Sequence, residues 1–396
     1  MATDSDRGAT ASSKTPFWYD PRFRAIFFQI LTVVLVLAGI GYLVSNVMTN
    51  LERQNIASGF GFLNREAGFA IAESMVSYSA ADSYGRAFIV GILNTFRVAL
   101  LGVALATIIG VLVGIARLSS NWLIAKLASV YIEVMRNLPL LLQLFIWYGV
   151  ITVSLPGPRD AMNPMTGIYL SNRGFMIPAP AADPIHAYMG IAALLALAVG
   201  YLIRRWAKQR QIDTGKQFPV YKTSLGLLIL FPAIAWVLGG APTVMELPTL
   251  QGFNFRGGLT LTPEFAALLF GLTFYTAAFI AEIVRGGILA VSYGQSEAAF
   301  ALGLRKGMVL RFIVLPQALR IIIPPTTSQY LNLTKNSSLA VAIGYPDLVS
   351  VGNTTLNQTG QAIEAITIFM AVYLTLSLTI SLIMNWYNRA IALVER

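Results

Sequence analysis

Long apolar runs separated by short polar segments are the main pattern of this chain. A run of about 20 apolar residues is long enough to cross the hydrocarbon core of a bilayer as a helix. The sequence predicts eight membrane-spanning helices on this criterion. They cover residues 25–44, 88–116, 128–155, 187–203, 223–240, 264–283, 318–343 and 366–386. The predicted fold class is therefore an all-α, polytopic membrane protein with about eight transmembrane helices.

The seventh predicted span is unusually polar for a membrane helix. Its interrupting residues are Pro324, Pro325, Gln329, Asn332, Lys335 and Asn336. Polar groups at membrane depth are tolerated only against protein or water, so this helix is predicted to line an internal surface. In the second span, Gly110 and Gly114 form a G-x-x-x-G pair that predicts close helix packing.

Composition supports the membrane prediction, and the charge distribution sets an orientation. Of the 396 residues, 56% are hydrophobic and 12% are charged, with a formal net charge of +10. The basic residues lie in short groups between apolar runs, which disfavours nucleic-acid binding and fits the excess of Lys and Arg in cytoplasmic loops. One loop alone carries Arg204, Arg205, Lys208, Arg210, Lys216 and Lys222. The outer loops carry Arg53, Arg65, Arg86, Arg159, Arg173 and Arg256. Both termini are therefore predicted to be cytosolic.

The sequence offers no residues for catalysis or for holding a metal. It contains no Cys and a single His, so thiolate chemistry and His clusters are excluded. It also has no G-x-x-x-x-G-K-[ST] phosphate loop. The chain is therefore predicted not to be an enzyme and not to bind ATP itself.

A charged segment, GQSEAAFALGLRKGMVLRFIVLPQALR at 294–320, lies between two predicted spans on the cytosolic side. Its apolar residues recur mostly at three- and four-residue steps, which predicts a short amphipathic helix. Ser292 and Gln295 have capping-box spacing, and Pro316 predicts that the helix ends near Leu315. The periodicity alone leaves open whether this helix lies on anionic lipid or docks against a partner.

The spacing within this segment favours docking, because it resembles the E-A-A, G, I-x-L-P motif of ABC importer permeases. Stretches at 91–119, 131–148, 278–288, 315–325 and 334–340 resemble the polar amino-acid (His/Glu/Gln/Arg/opine) permease family. Within that family the chain is most similar to the long general L-amino-acid permease subunits, which share an insertion at 156–263. The residues expected to couple to an ATPase are Gly294, Glu297, Ala298, Ala299, Gly303, Ile313, Leu315 and Pro316.

The resemblance implies a MetI-like permease core in a bacterial inner membrane. It implies partnership with a second, related permease subunit as a heterodimer, with two ATPase subunits and with a periplasmic amino-acid-binding protein. This chain would need no cofactor, and ATP and Mg would be bound by the partner ATPase. The expected division is a cytosolic tail (1–24), a first helix with an outer loop (25–87), a first core part (88–155), the insertion with two extra helices (156–263) and a second core part (264–396) that contains a coupling helix at 292–316.

An amino acid crossing the bilayer needs polar partners for its carboxylate and its ammonium group. The candidates are Thr273, Tyr275, Thr276, Gln329, Asn332, Lys335, Asn336, Ser337 and Ser338. Glu282 and Arg285 are predicted to form a structural pair. Arg97 either snorkels towards the outer membrane surface, which we favour, or faces a polar path. The alternative function is an ion-coupled secondary amino-acid transporter, which would lack an ATPase partner; a membrane-embedded enzyme is a weaker third possibility.

Overall fold

The computed structural model describes residues 21–53 and 58–391, which are mostly helical. The α-helices are α1 (Pro21–Arg53), α2 (Tyr84–Arg117), α3 (Trp122–Asn137), α4 (Leu140–Gly149), α5 (Ile185–Thr214), α6 (Val220–Leu238), α7 (Pro263–Leu289), α8 (Tyr293–Ala301), α9 (Lys306–Val309), α10 (Leu315–Asn336), α11 (Leu348–Thr359) and α12 (Ala362–Ile391). Wide π-helical turns cover Val150–Ser154 and Leu310–Val314. Tight 3-10 turns cover Phe60–Asn64, Pro158–Asp160 and Ser337–Ile343.

Within the described residues, seven helices are long and apolar enough to cross a bilayer, or eight if a bent pair counts as one span. The predicted number of about eight spans is therefore confirmed. Every described side chain of α1 is exposed, as expected for a helix that contacts lipid rather than the rest of the chain. Helix α1 begins at Pro21, inside the segment predicted as a cytosolic tail; residues 1–20 lie outside the described residues.

The third predicted span, 128–155, is not one continuous helix. Helices α3 and α4 meet at an angle of 107° between Asn137 and Leu140. Leu138 is extended because the following proline disfavours helical dihedral angles for it, and Pro139 has no amide hydrogen to continue the ladder. Hydropathy summed over the run does not detect this break.

The contact between α2 and α7 forms the centre of the hydrophobic core. A Cβ atom on Gly110 would lie 2.7 Å from the Cβ of Ile280, and one on Gly114 would lie 2.7 Å from the carbonyl oxygen of Ala281. Because neither position has room for a methyl group, the two glycines allow the helix backbones to approach closely, as the G-x-x-x-G spacing predicts. Fully buried Leu268 and Leu272 lie in the same core.

The insertion combines a small sheet region with a helical hairpin. Its strands are β1 (Met162–Met165), β2 (Ile168–Ser171), β3 (Gly174–Ile177), β4 (Ala179–Pro180), β5 (Met245–Glu246), β6 (Thr249–Gln251), β7 (Asn254–Arg256) and β8 (Leu259–Leu261). An antiparallel sheet of order β1-β2-β3-β8 joins the two ends of the insertion, with Phe175 opposite Leu261. Gly174, at φ +107°, is required because a Cβ there would lie 2.1 Å from the Leu261 carbonyl oxygen. Helices α5 and α6 pack mainly against each other.

Candidate coupling segment and translocation surface

The segment predicted to couple to an ATPase begins with the short helix α8 and a tight turn. The amide of Gly303 donates to the carbonyl of Phe300 at 2.9 Å, and the amide of Leu304 donates to that of Ala299 at 3.2 Å. These two bonds are the pair that closes a helix in the Schellman motif, with a left-handed residue after its last turn. Gly303 is that residue, at φ +78°, and no atom of the described residues beyond its chain neighbours lies within 4 Å of the position its Cβ would occupy.

The prediction of one helix across 292–316 is wrong in its second half. Helix α8 ends at Ala301, and a new helical run begins at Lys306 and continues through the π turn into α10. Pro316 lies in the first turn of α10 and does not end the helix. The wide π turn just before Pro316 relieves the clash that a proline ring makes with the carbonyl four residues earlier in an α-helix. Ser292 is the N-cap residue, but its side chain accepts no capping hydrogen bond.

Helix α8 projects exposed side chains on most of its surface. Glu297 and Ala298 are exposed, and Glu297 forms no ion pair with any residue that the structure describes. Tyr293 and Leu302, at 73% and 82% exposure, are large apolar side chains without cover. These side chains lie at the two ends of α8 and are accessible to a partner.

The remaining motif residues are split between exposed and buried positions. Ala299 is only 4% exposed, so its small side chain serves packing within this chain. Gly294 and Leu315 are exposed, whereas Ile313 and Pro316 are partly buried. The motif residues therefore do not form a single docking face.

The candidate path residues of α7 are largely covered by the chain's own helices. Thr273 and Thr276 are buried, and the hydroxyl of Thr273 has no hydrogen-bond partner among the described residues. Tyr275 is partly buried and its ring lies 4.9 Å from that of Phe279. Thr273 and Thr276 are therefore not exposed in the way that the polar groups of α10 are.

Helix α10 carries an exposed polar stripe. Asn332 and Lys335 are exposed, and Gln329 and Asn336 beside them are partly exposed. The three- and four-residue steps between these positions place them on one face of the helix. Lys335 makes no ion pair within the described part of the chain. The predicted polar lining thus faces away from this chain's core.

The hydroxyl groups of the two serines that follow this stripe donate hydrogen bonds to nearby backbone carbonyls. The hydroxyl of buried Ser337 donates to the Thr334 carbonyl at 2.7 Å, and that of Ser338 donates to the Lys335 carbonyl at 2.8 Å. Such bonds to the preceding turn satisfy a hydroxyl without any ligand.

Arg97, predicted to snorkel outward, is ion-paired with a residue of the predicted outer loop. Its guanidinium lies 2.6 Å from a carboxylate oxygen of Glu73 and 4.0 Å from the ring centre of Phe265. The other oxygen of Glu73 accepts a hydrogen bond from the Thr262 hydroxyl at 2.7 Å. A buried charge is tolerated when it is paired in this way, and the pair ties the loop before α2 to the start of α7.

Glu282 and Arg285 form the predicted pair, at 2.6 Å. The other carboxylate oxygen of Glu282 pairs with Arg117 at the end of α2. Glu282 therefore links α2 to α7 near the predicted cytosolic side. Arg117 was not predicted as a member of this cluster, because a distant partner leaves no local pattern in the sequence.

Two further polar features of the interior were not predicted from the sequence. The hydroxyls of Thr107 and Tyr330 lie 2.8 Å apart and connect α2 to α10. Asp347 is fully buried and caps α11 by accepting a hydrogen bond from the Ser350 amide at 2.8 Å. Burial raises the pKa of Asp347 to about 7. Its position just before a helix indicates a cap, but nothing local indicates its burial.

Comparison with known proteins gives consistent matches. The family described as "Binding-protein-dependent transport system inner membrane component" matches residues 106–393. The chain is 53% identical to the general L-amino acid transport system permease protein AapQ of Rhizobium johnstonii, over 96% of this chain and 94% of that protein. It is 51% identical to the putative amino-acid ABC transporter permease protein YhdX of Escherichia coli, over 99% and 100%. It is 42% identical to the glutamate/glutamine/aspartate/asparagine transport system permease protein BztB of Rhodobacter capsulatus, over 100% of both chains.

Proposed function

This chain belongs to the family of binding-protein-dependent transport system inner membrane components, and we propose that it is a permease subunit of an ATP-driven importer of L-amino acids. One observation carries the mechanism. A helical run of 38 residues, Lys306–Ile343, joins the exposed coupling segment to the polar stripe of α10. Because a continuous helix moves as one body, displacement of its docked end moves the polar stripe as well.

Permeases of this family work with ATPase subunits and a substrate-binding protein. In our proposal, Glu297 and the exposed apolar side chains of α8 seat in an ATPase subunit, which binds ATP and Mg. Closure of two such ATPases pushes α8, and the helical run behind it switches the pathway between outward and inward access. The chain itself supplies no catalytic residue.

The polar stripe of α10 is the proposed translocation surface. Lys335 attracts the carboxylate of an amino acid, while the amide side chains of Asn332 and Asn336 both donate and accept hydrogen bonds. The names of the relatives supply the substrate class, because one is a general L-amino acid permease and another serves glutamate, glutamine, aspartate and asparagine. A second, related permease subunit would face the stripe and complete the path as a heterodimer.

The proposed orientation places both termini and α8 in the cytosol, with the sheet of the insertion on the periplasmic side. The basic residues at 204–222, on the end of α5, the connection and the start of α6, support this arrangement through the excess of Lys and Arg on the cytoplasmic side. The same arrangement puts the binding protein opposite the ATPases. Family membership argues against the ion-coupled secondary transporter, because that class needs neither partner.

Replacing Lys335 by Leu tests the translocation surface. The variant should assemble and retain its ATPase subunits, but uptake of labelled L-amino acids into proteoliposomes should fall sharply, because an apolar side chain cannot attract a carboxylate. Asn336→Leu should act in the same direction. Lys126→Leu, which removes an exposed Lys away from α10, is the matched control.

Normal uptake in both α10 variants would remove these residues from the path. Loss of assembly instead of uptake would show that they serve subunit packing alone. Failure of the unaltered complex to take up any L-amino acid would refute the proposed substrate class.

A further inference from the structure

A basic cavity lies where the loop of the inserted hairpin approaches the segment that follows α8. Its volume is about 790 Å³. Four cationic side chains line it: Arg204 and Lys208 from α5, Lys222 from α6, and Arg311 from the π turn before α10. No Asp or Glu is among the residues that line it in the described part of the chain.

The four cations have no anionic partner within the described residues. None of them takes part in an ion pair there. Arg204 lies 5.9 Å from the ring centre of Trp386 on α12, which fixes its direction without neutralising its charge. Four like charges around one cavity repel each other, so an anion bound between them would be strongly favoured.

The cavity sits at the level where the hairpin leaves the membrane. Helix α5 is apolar up to Ile203, directly before Arg204, and α6 becomes apolar soon after Lys222. Tyr221 lines the cavity, and Tyr side chains are enriched at the headgroup level of a bilayer. Leu197, on the face of α5 that carries Arg204 and Lys208, and Leu225 on α6 are both exposed on the membrane side of the cavity.

We propose that this cavity binds the phosphate headgroup of an anionic phospholipid, with the acyl chains lying along α5 and α6. Basic pockets between membrane helices on the cytoplasmic side are suited to such headgroups. A soluble phosphate would find the same cations, but it would gain nothing from the exposed leucines on the membrane side of the hairpin. The inference is independent of the transported substrate.

The position of the cavity would give a bound lipid a structural role. The hairpin packs mainly against itself, and Arg311 belongs to the helical run that connects α8 to the polar stripe. A headgroup held by Arg204, Lys208 and Arg311 together would join the insertion to the moving helix. The insertion would then act as a lipid-dependent brace.

Binding of fluorescent phosphatidylglycerol to the purified complex in neutral detergent tests the proposal. The lining pair Arg204→Gln/Lys208→Gln should weaken binding roughly 30-fold, because each basic residue contributes about a factor of five in affinity. The control pair Arg205→Gln/Lys216→Gln removes the same residue types from the same hairpin outside the cavity and should bind as the unaltered complex does. The charge-conserving pair Arg204→Lys/Lys208→Arg should restore binding. If the Gln pair does not fold, the single variant Lys222→Gln gives the same comparison.

Competition identifies the source of the phosphate. Unlabelled phosphatidylglycerol should displace the probe, whereas phosphatidylcholine and inorganic phosphate should not. Displacement by inorganic phosphate would overturn the lipid assignment in favour of a soluble anion. Equal losses in the lining and control pairs would reduce the effect to general surface charge. Unchanged lipid binding together with loss of ATPase subunits in the lining pair would assign the cavity to a protein partner.

Discussion

Gly303 allows a backbone requirement to be separated from a docking contact. The motif places this glycine in the coupling segment, where a small residue would permit close approach of an ATPase. The structure gives a different reason for glycine, because the residue closes α8 at φ +78° with open space around its Cβ position. Gly303→Ala, Gly303→Asn and Gly303→Leu together distinguish the two reasons.

The cost of each substitution follows from the dihedral angle. A left-handed conformation costs an ordinary L-residue about 1–2 kcal/mol, and Asn less, because its side chain bonds locally. A loss of 1–2 kcal/mol lowers the population of the closed turn roughly 5- to 30-fold. Since no described residue beyond its chain neighbours has an atom within 4 Å of the Cβ position, Leu should cost about as much as Ala in this chain. A docked partner surface would instead add about 1–3 kcal/mol of overpacking for Leu alone.

Retention of ATPase subunits during purification, followed by uptake in proteoliposomes, measures the effect. We expect Ala and Leu to reduce ATPase retention to a similar extent, and Asn to reduce it less, while all three variants insert into the membrane. A Leu variant that loses its ATPase while Ala and Asn keep theirs would refute the backbone explanation and support a close docking contact. Wild-type retention and uptake in all three variants would remove the coupling role of this turn.

Three further predictions concern the fold, each read from the thermal unfolding midpoint of the purified complex. Gly114→Ala should lower the midpoint, because the destabilisation from overpacking, about 1–3 kcal/mol, exceeds the gain in helix propensity of about 1 kcal/mol. The control Gly226→Ala lies in open space and should not lower the midpoint. Equal shifts in the two variants would argue against close packing at Gly114. Glu73→Gln should lower the free energy of unfolding by about 3–5 kcal/mol, because it leaves the charge of Arg97 unpaired. The double variant Glu73→Gln/Arg97→Met should recover part of this loss. No recovery would argue against a paired charge. The pKa of Asp347 in the folded state, about 7, lies above the ordinary pKa of an Asp side chain. Between about pH 4 and pH 7 the folded state therefore binds more protons than the unfolded state, so the free energy of unfolding falls as the pH rises through this range. Asp347→Asn should remove that part of the slope, and an unchanged slope would contradict the assignment.

The sequence determined the features that depend on transfer of residues into a bilayer. The length of an apolar run and the position of basic loops are sums over neighbouring residues, so they can be read without knowing any tertiary contact. The unusual polarity of α10 was visible for the same reason. The coupling motif, with its fixed spacing, located the segment that the structure leaves exposed.

Local sequence patterns predicted the helix boundaries less well at the positions where the chain bends. Pro139 was visible in the sequence, yet the hydropathy of 128–155 concealed the break between α3 and α4. Pro316 was interpreted as the end of a helix, but the π turn before it accommodates the ring. A proline constrains the backbone, while its neighbours decide whether the helix stops or widens.

Only the tertiary structure decided which side chains meet. Arg97 pairs with Glu73 and Arg117 with Glu282, and no periodicity connects residues of different elements. Tertiary packing also buried Thr273 and Thr276 while leaving Lys335 exposed, although all three are polar residues in predicted spans. Hydropathy measures how a residue partitions between water and lipid, whereas a third environment, the protein interior, exists only once the helices have packed.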